Sequence, residues 1–300
     1  MAWQESALAN RGIDPYHRIA MKLGADLSAA PAAAPEGGEA PFTAVAGDAA
    51  GGLLLLCDHA SNRVPDEYAG LGLPASEFVR HIAYDPGAAL VTRHLARRLS
   101  APAVLSNFSR LLIDANRGDD DPTLIMRLSD GAVVPGNASV DDGERARRIR
   151  LFHAPYHAAI EAAIDRALVL GRPPALVSIH SFTAVWRGRT RPWHAGILWD
   201  RDPRLAVPLL EALRADASLV VGDNEPYSGV LPNDTMWRHG SARGLAYVLI
   251  EIRQDLIGDD AGAIAWAGRL APILAALNAR AEVHRIAEPA TRGQARLSGG

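Results

Sequence analysis

Short apolar runs alternate along this chain with longer stretches in which apolar residues recur every three or four positions. The most apolar run, Leu53–Cys57, consists of four leucines and a cysteine with no polar residue between them. Such a run is typical of a strand that is buried on both faces of a sheet. We predict further strands at 42–46, 103–105, 109–117, 175–179, 194–199, 219–221 and 245–252. The first of these is expected at an edge of the sheet.

Amphipathic periodicity predicts helices at 89–99, 144–170, 203–216 and 261–281, the second of them kinked near Pro155. Because strands and helices alternate, the sequence predicts a three-layer α/β fold, in which helices flank a central mixed, largely parallel sheet. We assign residues 42–285 to one catalytic domain. Residues 1–41 are expected to form a short helix and a lead-in rich in Ala, Pro and Gly, and 286–300 a polar tail.

Composition and charge narrow the class of protein. Hydrophobic residues make up 48% of the 300 positions, enough for a large core, and the net charge of −3 gives no indication of nucleic-acid binding. The one cysteine, Cys57, excludes a framework of intrachain disulfides. No uninterrupted apolar run approaches the roughly 20 residues of a membrane span, and the first residues do not resemble a secretory signal. We expect a cytoplasmic protein without a membrane or nucleic-acid partner, and leave the oligomeric state open.

Polar residues with catalytic potential follow several of the predicted strands. In an open α/β sheet, ligands bind at the carboxyl ends of the strands, where such residues converge. These residues are His59 and Asn62, then Asp114, Asn116 and Arg117, then His180, Asp200, and finally Glu251 and Arg253.

This set of side chains suits metal-assisted hydrolysis. Two histidines and one oxygen ligand make a common catalytic zinc site, which keeps one position for water. Bound zinc lowers the pKa of that water to about 7, and a carboxylate that is not a ligand serves as general base. Arginine presents a rigid fork of donors that matches a carboxylate. The sequence therefore predicts hydrolysis of a small acidic substrate.

Motifs of other enzyme classes are absent from the sequence. There is no G-x-S-x-G of a serine hydrolase, and no H-E-x-x-H of a helical zinc protease. The sequence also contains neither G-x-G-x-x-G nor G-x-x-x-x-G-K-[ST], the motifs that would indicate a dinucleotide-binding site or a P-loop.

Five motifs together resemble the N-formylglutamate amidohydrolase family. They are CDHASNRVP at 57–65, AYDPGA at 83–88, SRLLIDANR at 109–117, SIHSF at 178–182 and IEIRQDL at 250–256, and the match runs in order from about 42 to 280. The family is similar in fold to zinc carboxypeptidases and aspartoacylase-like deacylases. The resemblance implies a zinc-exopeptidase-like fold, one zinc ion per chain, N-formyl-L-glutamate as substrate, and a role in histidine degradation.

The resemblance also implies roles for individual residues. His59 and His180 match the zinc histidines, Glu251 matches the catalytic carboxylate, and Asn116 with Arg117 matches the D-x-N-R element that holds the substrate carboxylate and carbonyl. Arg110 and Arg253 are further candidates for substrate binding.

The third zinc ligand departs from the wider superfamily. The superfamily pattern is H-x-x-E, but the fourth position here is Asn62, a poorer ligand than a carboxylate. We favour Asp85, in the AYDPGA motif, and keep Asn62 as the alternative.

Several residues have a structural interpretation beside the functional one. Asp85 is equally suited to cap the helix near Gly87, and Arg117 to pair with an aspartate at 119–121. Glu251 is a potential buried partner of Arg253 or Arg117. Asp58 is a candidate acceptor that orients His59.

The sequence leaves open the roles of several loop residues and allows other functions. The Arg- and Trp-rich loop 183–193 is interpreted as a lid or an oligomer contact, and Tyr227 and His239 as loop residues able to close over substrate. His157 is expected to be a hydrogen-bonded helix residue. The alternative functions are a zinc peptidase, a deacylase for another acyl group, and a metal-free protein that binds a dicarboxylate.

Overall fold

A computed structural model describes residues 40–288 of the chain. The expected lead-in at 1–41 and the polar tail at 286–300 lie almost entirely outside the described residues.

Seven strands form the central sheet. They are β1 (Phe42–Val45), β2 (Leu53–Cys57), β3 (Ala103–Ser106), β4 (Ala175–Phe182), β5 (Ala195–Leu198), β6 (Val221–Asp223) and β7 (Tyr247–Arg253). Their order across the sheet is β1-β3-β2-β4-β7-β5-β6. Strands β3, β2, β4 and β7 run parallel, β1 is antiparallel to β3, and β5 is antiparallel to β7 and parallel to β6. The mixed, largely parallel sheet and its flanking helices confirm the predicted fold class.

Helices and short turns connect the strands. The helices are α1 (Ala88–Leu99), α2 (Asp142–Arg148), α3 (Ala154–Val169), α4 (Pro203–Arg214), α5 (Thr235–His239) and α6 (Asp260–Asn278). A π-helical segment, Ile149–His153, joins α2 to α3. The helix predicted over 144–170 is thus formed by α2, the π-helical segment and α3, and this irregular segment ends just before Pro155, which occupies the first turn of α3.

The leucine run of β2 is continuous because both faces of the sheet are covered. Leu53 and Leu55 belong to one hydrophobic cluster, with residues of α1, α4 and α6, whereas Leu54 and Leu56 belong to another, with residues of α3. All four leucines are at most 4% exposed. Each one stabilises the fold by about 1.5–3 kcal/mol through burial. The second face also carries the polar residues described below.

The strand predicted over 109–117 is wrong. In this segment the backbone forms turns, in which Leu112 N donates to Ser109 O and Asp114 N donates to Leu124 O. Leu111, Leu112 and Ile113 are all fully buried in the second cluster, so their apolar run reflects packing under the loops rather than a strand.

Strand ends also differ slightly from the predictions. β4 continues through His180 to Phe182, so this histidine lies within the strand rather than after it. The strand predicted at 219–221 lies at Val221–Asp223, and β7 extends to Arg253.

Helix α6 is the one helix of residues 40–288 that is long and apolar enough, by length and composition, to cross a membrane. Trp266, Leu270 and Leu274 of this helix pack in the first hydrophobic cluster. A helix of the protein core passes the same test, so this finding is weak evidence for a membrane span.

Candidate active site

Two histidines and an aspartate meet at the carboxyl end of the sheet. His59 follows β2, His180 lies in β4, and Asp85 precedes α1. The Nδ1 atoms of His59 and His180 are 3.4 and 2.9 Å from the same Oδ2 of Asp85. One ligand atom from each residue lies within 4.8 Å of the others, and all three residues are buried. The structure thus brings together three of the predicted metal ligands.

Asp85 is aimed at the histidines by the turn that precedes α1. The backbone N of Asp85 donates to His59 O at 2.9 Å, and its Oδ2 accepts from Ser181 N at 3.2 Å. Gly87 has a φ of 82° and packs so closely on Ile257 that a Cβ would lie 2.0 Å from its carbonyl oxygen. A glycine is therefore required for this turn. The helix has no side-chain cap, so the interpretation of Asp85 as an N-cap is wrong.

Each histidine is held from its other side by a second carboxylate. His59 Nε2 lies 2.6 Å from Asp114 Oδ1, and His180 Nε2 lies 2.9 Å from Asp58 Oδ2. Asp58 therefore orients His180, and the expectation that it orients His59 is wrong. A carboxylate on the outer nitrogen fixes the ring and its tautomer, as is usual for histidine ligands of metals.

Asp58 is itself immobilised by three hydroxyl groups. It accepts from Tyr156 and Thr235 at Oδ1, at 2.9 and 2.7 Å, and from Ser178 at Oδ2, at 2.9 Å. These donors come from α3, α5 and β4. Three elements of the fold thereby fix the carboxylate behind His180.

Three carboxylates, those of Asp58, Asp85 and Asp114, are buried together in this cluster. Burial alone would raise the pKa of Asp58, Asp85 and Asp114, but hydrogen bonds and nearby positive charge outweigh it, so each pKa lies below its usual range. Conversely, burial would lower the pKa of His180, but the hydrogen bonds and charges of Asp58 and Asp85 raise it well above the ordinary value. Arg110 is the nearest permanent cation, 3.0 Å from Asp114 and 3.4 Å from Asp85.

The donor set fits a divalent metal ion. Two imidazole nitrogens and one carboxylate oxygen are the ligands of a catalytic zinc site. The surrounding negative charge favours a cation there, and the two outer carboxylates hold the rings in place.

Glu251 lies beside His180 on the same face of the sheet. The two residues are direct partners in the parallel pairing of β7 with β4. Burial, followed by the charge of Asp85, raises the pKa of Glu251 to about 7. Its Oε2 is buried and has no hydrogen-bond partner among residues 40–288.

Arg253 is not the partner of Glu251. Its Nε donates to Asp255 Oδ1 at 2.8 Å, and its Nη1 donates to the carbonyl oxygens of Arg191 and Trp193 at 3.4 Å each. It is also absent from the cavity lining described below, so the structure does not bring Arg253 to the predicted substrate site.

Asn116 and Arg117 reach the cavity from the turn after Asp114. The backbone N of Asn116 donates to Asp114 at 2.9 Å, and its side-chain oxygen accepts from Thr235 N at 3.1 Å. The guanidinium of Arg117 donates to Asn116 O at 3.3 Å, and no carboxylate of the described chain pairs with it. The expected pairing of Arg117 with an aspartate at 119–121 is therefore not formed.

One cavity of about 640 Å³ unites these groups. The predicted residues that line it are His59, Asp85, Arg110, Asn116, Arg117, His180 and Glu251. Asn62 is not among them, because its side-chain nitrogen donates to Phe78 O at 2.7 Å instead. The geometry therefore favours Asp85 over Asn62 as the third metal ligand.

Sequence analysis missed two titratable groups of the cavity. His81 lines it, with a buried Nδ1 that has no hydrogen-bond partner in the described chain, and burial lowers its pKa to about 4. Asp234 caps α5 by accepting from Trp237 N at 2.7 Å, and burial raises its pKa to about 7. In the sequence, the position of His81 two residues before the AYDPGA motif was the only indication of either residue.

Three further histidines, His153, His157 and His239, form a buried group outside the cavity lining. His157, on α3, contacts His239 at 2.8 Å and His153 at 3.2 Å, and its Nε2 lies 3.1 Å from Ala115 O. His157 is a hydrogen-bonded helix residue, as expected. His239 is fully buried in α5, so the interpretation of it as a loop residue able to close over substrate is wrong.

Known proteins resemble this chain in sequence and in fold. The family model described as N-formylglutamate amidohydrolase matches residues 51–258. A gene product of Agrobacterium tumefaciens is 36% identical, with 81% of this chain and 97% of that chain covered and a TM-score of 0.76. An N-formylglutamate amidohydrolase from Ralstonia eutropha JMP134 is 22% identical, with 80% and 97% covered and a TM-score of 0.54, which supports the fold alone. No curated protein matches the chain in sequence.

Proposed function

This chain belongs to the N-formylglutamate amidohydrolase family, and we propose that it uses zinc to hydrolyse N-formyl-L-glutamate to formate and glutamate. One observation carries the proposal. The candidate metal ligands His59, Asp85 and His180 lie beside Glu251, an unpartnered carboxylate, in a cavity that also contains an arginine without an acidic partner.

His59, Asp85 and His180 would hold the zinc ion. When bound, zinc supplies Lewis acidity toward a carbonyl group and lowers the pKa of water. Asp58 and Asp114 keep the two imidazoles in the orientation that presents their Nδ1 atoms to the site.

Glu251 is proposed as the general base and then the general acid. Its carboxylate takes the proton of the attacking water and delivers that proton to the nitrogen of the leaving amino acid. A pKa near neutrality suits both halves of this transfer, because each protonation state is then accessible.

Arg117 is proposed to bind the substrate carboxylate. Arg117 lines the cavity and forms no ion pair with a carboxylate of the described residues, so the donors other than the one that bonds to Asn116 O remain for a ligand. Asn116, fixed by Asp114 and Thr235, supports its position. Arg110 is the second candidate, since its Nε is buried with no partner in this part of the chain.

The metal-free binding protein is the weaker alternative. Its main support was Asn62, which lies outside the cavity lining.

A substrate panel tests the proposal. Purified protein supplied with zinc would be incubated with N-formyl-L-glutamate, N-acetyl-L-glutamate, N-formyl-L-leucine and a dipeptide with amino-terminal leucine. We expect the release of free amino acid to be fastest from N-formyl-L-glutamate. Faster turnover of the acetyl compound or the dipeptide would indicate the deacylase or peptidase alternative, and no turnover of any amide would contradict the proposal.

A further inference from the structure

The segment Glu225–Tyr227 covers the sheet next to Glu251. Gly196 of β5 is the direct antiparallel partner of Glu251, so both positions face the cavity side of the sheet. A Cβ on Gly196 would lie 1.8 Å from Glu225 O, which shows how closely this segment packs on β5. The glycine thus allows Glu225 and Pro226, the two residues before Tyr227, to pack on the strand that neighbours β7.

Asn224 fixes the position of this segment. Its backbone N donates to Ile197 O at 2.9 Å, and its side-chain oxygen accepts from Trp199 N at 3.1 Å and from Gly229 N at 2.8 Å. The bonds with Ile197 and Trp199 join the start of the turn to β5 and the residue after it, and the bond from Gly229 closes the turn on Asn224. Tyr227 lies within this hydrogen-bonded turn.

Arg191 contacts both the hydroxyl and the ring of Tyr227. Its Nη1 donates to the Tyr227 hydroxyl at 3.0 Å, and its guanidinium lies 5.0 Å from the Tyr227 ring centre, 5.3 Å from that of Trp186 and 5.6 Å from that of Phe182. Arg191 is 7% exposed, and no carboxylate of residues 40–288 pairs with it. The positive charge of Arg191 is stabilised by these three aromatic rings and by oxygen acceptors, among them the hydroxyl groups of Thr183 and Tyr227.

The Tyr227 hydroxyl has an unused proton. It accepts from Arg191, and no acceptor for its own proton lies within hydrogen-bond distance in the described chain. Burial and the charge of Glu251 raise its pKa, so the phenol is neutral and able to donate at neutral pH. Tyr227 and the unpartnered Glu251 Oε2 line the same cavity.

We propose that Tyr227 is a further catalytic residue, which donates a hydrogen bond to the carbonyl oxygen of the scissile amide, and that Arg191 is its positioning residue. The proposal rests on the amidohydrolase function. Water adds to the carbonyl carbon, its proton moves to Glu251, and the carbonyl oxygen becomes an oxyanion that the phenol stabilises. The C–N bond then breaks, the oxygen reforms its double bond, and Glu251 returns the proton to the amine nitrogen.

The position of Tyr227 favours the carbonyl oxygen over the substrate carboxylate. Glu251 has to reach both the water and the amine nitrogen, which are attached to the reacting carbon, so a donor beside Glu251 faces that carbon. Arg117 lies on the turn next to the start of α5, where Asn116 contacts Thr235. The carboxylate and the carbonyl oxygen are thus assigned to different donors.

Tyr227→Phe tests the proposal directly. Loss of one oxyanion donor is expected to lower kcat by about 10²–10³ with little change in KM. Tyr68→Phe is the matched control, because the Tyr68 hydroxyl also accepts from an arginine, Arg147, and the ring also lies under its guanidinium, outside the cavity lining. Full turnover in Tyr227→Phe, or a raised KM with unchanged kcat, would overturn the proposal.

Binding measurements separate this proposal from the proposed function. The probes are glutamate and a phosphonate analogue of N-formylglutamate, in which a tetrahedral phosphonate replaces the planar formyl carbon. We expect Tyr227→Phe to weaken the binding of the phosphonate and to leave the affinity for glutamate unchanged. Equal weakening of both would overturn the role of Tyr227. Wild-type protein that hydrolyses no amide would overturn the proposed function itself, and this inference with it.

A double-mutant cycle tests Arg191 as the positioning residue. Arg191→Lys keeps the charge and loses the planar fork and its stacking. We expect it to lower kcat in the wild type and to have no further effect in Tyr227→Phe, because it acts through that hydroxyl. Additive losses of kcat in the double variant would contradict this role.

Discussion

The two sides of the active-site cavity differ in how their polar atoms are satisfied. On the side of the candidate metal ligands, every side-chain nitrogen and oxygen of the cluster has a partner; its members are Asp58, His59, Asp85, Asp114 and His180. Elsewhere in the cavity lining, Glu251 Oε2 has no partner among residues 40–288, and Arg117 forms no ion pair with a carboxylate of this range. We call these the saturated side and the open side.

The difference indicates a division of labour. A fully connected polar network is rigid, which suits ligands that must hold a fixed geometry. A buried polar atom without a partner costs about 1–3 kcal/mol, so it persists where a substrate supplies the missing bond. The saturated side is therefore expected to determine metal affinity, and the open side to determine turnover and substrate binding.

Glu251→Gln should give the largest effect on turnover. Glutamine keeps the shape of the side chain and cannot take a proton, so kcat is expected to fall by about 10²–10⁴. Metal content should remain that of the wild type, because Glu251 belongs to the open side. Near wild-type kcat would contradict the general-base role, and loss of metal would contradict the division between the two sides.

Arg117→Met should weaken substrate binding. Loss of one charge-assisted pair is expected to lower kcat/KM by about tenfold to a hundredfold. The matched control is Arg253→Met, since that arginine bonds to Asp255 and to backbone carbonyls. Steady-state kinetics would distinguish the two variants. Equal losses in both would show that the substrate does not use Arg117 in particular.

Asp114→Asn should weaken metal binding by about 10–100-fold, because the outer carboxylate of a histidine ligand sets its orientation and basicity. Competition with a chromogenic chelator measures the affinity. Asp255→Asn provides the control, as Asp255 pairs only with Arg253 in the described structure and lies outside the cavity lining. Unchanged metal affinity in Asp114→Asn would contradict the role of the saturated side.

The open side should also influence stability as the pH changes. Glu251 titrates near pH 7 in the fold and has an ordinary pKa of 4.5, so the folded state holds a proton that the unfolded state has lost. Stability should therefore fall as the pH rises through this window. In metal-free protein, Glu251→Gln is expected to raise Tm at pH 8 and to have a smaller effect at pH 5. A pH-independent difference would contradict the raised pKa.

Much of the saturated side was predictable from the sequence. His59 and His180 stand out because polar residues at strand ends converge in a parallel sheet, and Glu251 follows from the same rule. The partner of Asp58 was not predictable, since the direction of a side chain in a turn depends on tertiary contacts from α3 and α5.

Glu251 and Arg117 of the open side were predicted, but the position of Tyr227 beside the same cavity was not. Its loop is held there by the close packing of Glu225 on Gly196 of β5, and no pattern in the neighbouring sequence predicts that packing. The strand predicted at 109–117 was wrong for a related reason. Its apolar residues pack under loops on one face of the sheet, and a run of three apolar residues does not distinguish that arrangement from a buried strand.

The metal content of the protein tests the central claim most directly. It would be measured by elemental analysis on untagged wild type, Asp85→Ala and Asn62→Ala, after each has been incubated with zinc and the excess removed. We predict about one zinc per chain in the wild type and in Asn62→Ala, and a large loss in Asp85→Ala, because three ligands are needed for a tight site. Absence of metal from the wild type, or full occupancy in Asp85→Ala, would contradict the assignment of His59, Asp85 and His180 as the metal site.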